Sequence, residues 1–391
     1  MKNFKAAVLP CVVLSTTIVP GVCHAQSSVT LYGVIDTAIG FVTNAGGTTS
    51  TNRVGFLNNN IQTSGWGVKG TEALGGDLSA IFNLQSSINP STGSMSPSGV
   101  EFGHQAYVGL SSARYGTLTV GRQYDPVTEL LGPLTADIYF GAFFATVGNV
   151  DNYDAVLRIN NSIKYVSPTF AGLQFQAMAA LNGIAGSVSA GGFYGLAASY
   201  TNGGFSVAGG YSISKVENTA ALVNGAPSMT ASTSADNLLY NNPVVQFEGI
   251  TSNEIGRIGA NYVFGSWIVG AAYSNSKFHQ FGSNATLTFN SGSGFLHYAV
   301  NPALFLAAGY NYTKATGEGA SASYNQVSLG ADYLLSKRTD IYLSAVYQRA
   351  SGNTLSNQDN LVPATASVSD EGFYGTSREQ ALAVVGIRHR F

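Results

Sequence analysis

The stretch Tyr324 to Gln348, YNQVSLGADYLLSKRTDIYLSAVYQ, alternates apolar and polar positions in two runs about a polar turn at Ser336–Thr339. Val327, Leu329, Ala331, Tyr333 and Leu335 fall on one face of the first run, with Gln326, Ser328, Gly330 and Asp332 on the other. Ile341, Leu343, Ala345 and Tyr347 repeat the pattern in the second. A period of two is that of a β-strand, so the pattern predicts a hairpin with one apolar and one mostly polar face. Each run is about ten residues long, enough for a tilted strand to cross a bilayer.

The same unit recurs along the chain. Further runs are Val29–Thr43, Ser64–Thr71, Leu78–Ile88, Phe102–Ser112, Gly116–Gln123, Ser162–Val166, Leu173–Leu181, Phe193–Thr201, Phe205–Ser214, Asn253–Phe264, Trp267–Lys277, Gly292–Val300, Leu304–Lys314 and Glu379–Phe391. With the hairpin this makes 16 strands, joined alternately by short turns and mostly longer loops. The reading is an all-β fold, a 16-stranded antiparallel transmembrane β-barrel with both termini at the short-turn end. Sheets that cross lipid must close, because an open edge leaves backbone groups unpaired. Sixteen strands enclose a water-filled lumen. One segment breaks the rhythm. Tyr124 to Ile159 has no clear alternation, contains Pro126 and Pro133, and carries the cluster Tyr139, Phe140, Phe143 and Phe144. Loops of this length inside a compact architecture are usually functional, and this one is too apolar to be freely solvated, so it is expected to fold against something. Residues 215–252 and 350–377 are polar and read as exposed loops.

Composition sharpens the picture. Charged residues are only 10% of the 391, against about 25% in soluble domains, and there are 47 glycines, 21 tyrosines and 21 phenylalanines. A barrel with an outward apolar band and aromatic girdles has this profile; an unusual secreted β-sandwich or β-solenoid is the alternative. Met1–Ala25 reads as a signal peptide, with Lys2 and Lys5 ahead of an apolar run and Ala25 at the cut. Both cysteines lie in it, so the chain from Gln26 has no thiol chemistry. Losing Lys2 and Lys5 from 18 basic residues against 20 acidic ones leaves the remainder more acidic, which does not suggest a nucleic-acid partner. No later stretch is a long uninterrupted apolar run, which argues against membrane helices.

Five segments, VTLYGVIDTAIGF (29–41), GWGVKGTEALGGDLSAIFNLQ (65–85), QAYVGLSSARYGTLTVGRQYDP (105–126), the hairpin 324–348 and VGIRHRF (385–391), together resemble the Gram-negative general-diffusion porins, in particular the betaproteobacterial branch. The resemblance implies a homotrimer in the outer membrane, amid lipid and lipopolysaccharide, whose third loop, here Tyr124–Arg158, folds inward and narrows the pore. It implies a constriction of loop acids, with Asp137, Asp151 and Asp154 favoured over Glu129, facing basic wall residues Lys69, Arg122 and Arg158. Opposed charges at a narrow aqueous gap set ion preference. By strict alternation Arg122 points outward with Leu118 and Val120, and it reaches the lumen only if Gly121 makes a bulge. The family usually has arginine where this chain has Gly65 and His104, so a less cationic wall is expected. Phe391 matches the family's assembly signal, read by the barrel-insertion machinery; it also fits an interfacial girdle residue.

Other chemistry finds little support. The histidines after the signal peptide, His104, His279, His297 and His389, lack metal-ligand spacing, and no nucleophile elbow is present. The reading is a non-enzymatic porin, without cofactor, for passive diffusion of ions and small hydrophilic solutes. Two alternatives stay open: a substrate-selective porin with a lumenal binding site, and an adhesion or receptor barrel acting through its external loops.

Overall fold

The computed structural model describes residues 27–46, 51–96, 99–181, 192–215, 250–280, 285–356, 360–368, 375 and 377–391. The expected signal peptide and most of the loop read at 215–252 lie outside them. The strand segments are β1 (Ser28–Val42), β2 (Arg53–Asn58), β3 (Gly65–Gly75), β4 (Leu78–Gln85), β5 (Gln105–Ser112), β6 (Gly116–Tyr124), β7 (Arg158–Val166), β8 (Leu173–Ala180) and β9 (Phe193–Asn202). They continue as β10 (Phe205–Lys215), β11 (Ile250–Phe264), β12 (Trp267–Gln280), β13 (Thr286–Ala299), β14 (Leu304–Gly317), β15 (Ala320–Leu334), β16 (Thr339–Leu355), β17 (Leu361–Pro363) and β18 (Glu379–Arg390). Every pairing is antiparallel, most of them between chain neighbours, with β3 also on β1 and β18 on β16, and β1 closes the sheet on β18, from Val34 opposite Arg390 to Val42 opposite Leu382.

Among the described residues the wall is a closed barrel of 16 strands. β2 and β3 pair successive parts of β1 and so form one wall strand with a break at residues 59–64. The short β17 pairs only the far end of β16. At the seam the backbones of Gly33 and Phe391 exchange two hydrogen bonds, of 3.0 and 3.1 Å.

The predicted faces hold. Val327, Leu329, Tyr333, Ile341, Leu343 and Tyr347 are exposed on the outer surface, while Gln326, Ser328, Ser344 and Gln348 are buried on the inner one. Lipid is the natural solvent for an outer band of this kind. The wall is uneven in height: β4, β5 and β8 have 8 residues each, whereas β15 and β16 have 15 and 17.

The aperiodic segment packs on inward-facing wall residues. It contains helix α1 (Pro126–Leu131), short 3-10 turns and the single-turn helix α2 (Asp137–Phe140). Helix α1 is capped by Asp125, whose carboxylate accepts from the Val127 and Thr128 amides. Val127 and Leu131 bury against Ala197 of β9 and Ala208 of β10. Phe140, Phe143 and Phe144 bury among Ala38, Ala307, Tyr342, Val346, Leu382 and Val384. Wall glycines make room for these rings. A Cβ on Gly330 would run into the Phe140 ring, and one on Gly309 would crowd Phe144.

The reading of 350–377 as an exposed loop needs correction. β16 runs on to Leu355, and Ala364, Ala366 and Val368 are fully buried. Ala364 and Ala366 cluster with Val147 and Val150 of the aperiodic segment. Alanine and valine carry enough apolar surface to stay inside once a neighbouring loop supplies a dry partner.

Candidate functional site

An irregular backbone placed inside a barrel needs partners for its peptide groups. The polar inner face of the wall supplies them. Asn311 donates to the carbonyl of Phe144 at 2.8 Å, Gln326 to that of Ala145 at 3.0 Å, and Ser328 to that of Phe143 at 2.7 Å. At its far edge the segment reaches the break between β2 and β3, where the Ala142 amide donates to the Asn60 carbonyl at 3.0 Å. Asn60 in turn donates to the Tyr342 hydroxyl at 2.7 Å, and Tyr342 donates to Asp36 at 2.6 Å. Asp36 also accepts the Ile61 and Gln62 amides, both at 2.8 Å, which fixes the break in place.

The root of the segment is held by a buried polar hub. Asp125, Thr128 and Asn152 hydrogen-bond one another, and Arg257 from β11 donates to Thr128 at 2.9 Å and lies 3.5 Å from Asp125. The Arg257 guanidinium also sits 5.0 Å over the Tyr153 ring. Nearby, Lys164 of β7 donates to Glu129 at 2.7 Å and to the Tyr124 carbonyl at 3.2 Å. Burial raises the Glu129 carboxyl above its ordinary range, and Lys164 opposes that shift.

The expected site residues separate into two groups. Asp151 has no exposed surface; it accepts from Thr146 at 2.6 Å and from Ser274 of β12 at 2.5 Å. Burial raises its carboxyl, with those hydroxyls and Arg257 acting in the opposite sense. This placement is that of an anchor between segment and wall, because its carboxylate joins Thr146 of the segment to Ser274 of β12. Asp137 begins α2 and Asp154 follows the hub, and both are half-buried.

Lys69 is inward by register, opposite Asn83, with its ammonium 5.0 Å over the Tyr32 ring. Arg122 sits where the β6–β7 register shifts, between Gly121 and Gln123, and Gly121 has φ +139°. The extra residue of this irregularity lies in β7, where Ile159 to Ser162 run opposite Gln123 to Gly121, and Arg122 keeps Ala106 of β5 as its partner. Its guanidinium donates to the Gly103 carbonyl at 2.8 Å and to Asn160 at 2.6 Å. Arg158 is largely buried, donates to Tyr124 at 3.1 Å and lies 4.9 Å over that ring.

His104 packs near the same Tyr124 ring. Burial, then the charges of Arg158 and Arg122, hold its imidazole well below the usual range, so it stays neutral. Gly65 leaves no space for a side chain, since a Cβ there would meet the Ser86 carbonyl. Neither position adds positive charge to the wall.

Sequence reasoning missed Arg257, Lys164, Asp36, Tyr342 and the acid-base cluster at the short-turn end. In that cluster Arg388 binds Asp340 with Nε, at 3.0 and 3.2 Å, and reaches Asp332 at 3.3 Å. The usable signal was parity: Arg257 and Lys164 alternate with the outward Ile258 and Ile163.

A sequence model described as Gram-negative porin matches residues 11–353. An outer membrane porin protein of Bordetella pertussis is 29% identical, over 95% of this chain and 96% of its own length. Among solved structures, the anion-selective porin from Comamonas acidovorans superposes with a TM-score of 0.69 at 25% identity, covering 94% of this chain and all of that one. The trimer form of OmpT from Vibrio cholerae gives 0.63 at 18% identity, over 93% of this chain and 99% of its own, a likeness of fold alone.

Proposed function

Starting from the premise that this chain belongs to the Gram-negative porin family, we propose that residues 124–158 narrow its channel. The protein is an outer-membrane porin through which ions and small hydrophilic solutes diffuse passively. The observation that carries the proposal is the bond from the Ala142 amide to the Asn60 carbonyl, which ties the segment to the wall far from its root. The free path then runs between the segment and the β1 and β3–β6 wall, whose inner face carries Tyr32, Lys69 and Asn83. In this reading Asp137 and Asp154 face Lys69, Arg122 and Arg158 across the gap, and Asp151 serves as an anchor. No step of this mechanism calls for catalysis.

Residues 1–25 act as the export signal, and 26–391 form the barrel. We assign the low side of the wall to a homotrimer interface. β4, β5 and β8 are shorter than a lipid-spanning strand of about 9–11 residues, yet carry exposed Val108, Leu110 and Phe175. Neighbouring copies would cover what lipid cannot. The trimer form of OmpT is in keeping with this. Phe391 serves as the terminal aromatic read by the insertion machinery, and the outer band meets lipid and lipopolysaccharide.

Single-channel recording in a planar bilayer tests the reading, with reversal potential measured under a salt gradient. Current steps in groups of three that scale with bulk salt are expected. The sign of the potential tells whether this chain shares the preference of the Comamonas protein. A purified, folded barrel that passes no current would refute the proposal.

A further inference from the structure

Beneath α2, toward the short-turn end, a recess of about 250 Å³ opens between the segment and the wall, bordered by Tyr139, His297, Phe305, Asp332 and Arg390. None of the residues assigned to the gap lines it. One side is a ladder of rings: Tyr139 stacks on His297 at 4.4 Å, and His297 on Phe305 at 5.6 Å. Beside them on the same wall, starting at Asp332, the cross-strand partner of Phe305, lie both signs of charge. Asp340 is fully buried and is neutralised by Arg388 and Arg390. Arg390 spends Nη1 on Asp340 and Nε on Gln62, which leaves Nη2. Asp332 gives one oxygen to Arg388; the other, Oδ1, has no hydrogen-bond partner, although the residue is over nine-tenths buried. His297 Nδ1 is unpartnered in the same way.

Buried polar atoms without partners are uncommon, and here two of them belong to residues that line a concave, aromatic-walled space of the kind small ligands occupy. Two guanidiniums against two carboxylates leave no net charge, so a simple anion or cation gains little. A solute bearing both charges satisfies both kinds of group. The volume falls short of the roughly 300–1,000 Å³ of drug-sized pockets, which limits it to about one ring and a short polar tail.

We propose that this recess binds a small zwitterionic solute with one aromatic ring, the ring on Tyr139, the ammonium on Asp332 and the carboxylate on Arg390. The site deepens the channel reading, since it requires a solute that enters the lumen. Binding in a conducting pore must also be weak enough to release.

Saturation-transfer NMR on the purified protein in detergent micelles reads weak binding directly, whether or not the channel conducts. L-Phenylalanine is the probe. Glycine, 3-phenylpropionate and 2-phenylethylamine remove the ring, the ammonium and the carboxylate in turn. Saturable binding of phenylalanine in the millimolar range is expected, tighter than any of the three. Asp332→Asn should weaken it about tenfold, the scale of one charge-assisted contact, and Tyr139→Ser about two- to tenfold, the scale of one aromatic pair. Tyr139 is on the segment and not in a wall strand, so its variant keeps the barrel intact. Equal binding of glycine, tighter binding of either single-charge analogue, or wild-type binding by both variants would overturn the proposal. Binding by a protein that passes no current would leave the site standing and remove the channel reading; current without binding would do the reverse.

Discussion

Gly141 offers the sharpest handle on the narrowing segment. It follows α2 with φ +63° and ψ −153°, a region open essentially to glycine alone. A Cβ at this position would also run into the Asn60 carbonyl and the Ile61 Cα, both backbone atoms with no rotamer to escape into. Gly141→Ala therefore adds about 1–3 kcal/mol of backbone strain and breaks the Ala142–Asn60 hydrogen bond, worth about 1 kcal/mol. The sum, about 2–4 kcal/mol, lowers the ratio of docked to undocked tip by roughly 30- to 700-fold. No wall strand contains Gly141, so the barrel keeps its heat resistance. Single-channel recording should find a larger, noisier conductance. Gly132→Ala is the matched control. Gly132 is in the same segment with ordinary helical φ −46°, and nothing lies near its missing Cβ, so its conductance should match wild type. A Gly141→Ala channel with wild-type conductance and noise would refute the latch and the narrowing built on it.

Three further outcomes follow from the same geometry. Asp137→Asn and Asp154→Asn should each move the reversal potential toward anions, whereas Asp151→Asn should leave it unchanged while weakening the segment's anchorage by about 1–3 kcal/mol, read as increased proteolysis within 124–158. Acidification should raise anion preference in a step that Glu129→Gln removes. The Glu129 carboxyl is raised, so it takes up its proton above the ordinary value of 4.5 and leaves Lys164 without a counter-charge. The linked stability has the matching sign: Glu129 favours the folded state most below the unfolded value, and that contribution is lost as pH rises through the folded one. Deleting Phe391 removes both backbone bonds to Gly33 at the seam and should reduce the yield of heat-resistant barrel on unboiled gels; an unchanged yield would count against the assembly role.

The wall was legible because lipid and water sort side chains by parity. Val327 and Leu329 could only point one way, and Gln326 and Ser328 the other. The aromatic run from Tyr139 to Phe144 announced that its segment must be buried, but not against which strands. That depends on glycines such as Gly330, whose vacancy is visible only when β15 and α2 meet. Charge was harder to place. Asp151, Asp137 and Asp154 look alike along the chain, and only the contact with Ser274 on the distant β12 marks the first as buried. Residues 53–58 form a strand whose break at 59–64 has no periodic signature, because Asp36 and Tyr342, far away in sequence, hold it. Arg122 shows the limit of parity: the alternation groups it with Leu118 and Val120, but does not show that its guanidinium reaches the Gly103 carbonyl and Asn160.

The seat of Phe140 and Phe143 draws on Ala38 and Val42 from the first strand and on Leu382 and Val384 from the last. Those strands meet only where the cylinder is sealed. A nascent chain, however much of its sheet has formed, thus owns only part of the surface that positions the aperture. Closing the seam therefore also completes the seat of the segment proposed to narrow the channel, and a barrel short of closure offers that segment only part of it.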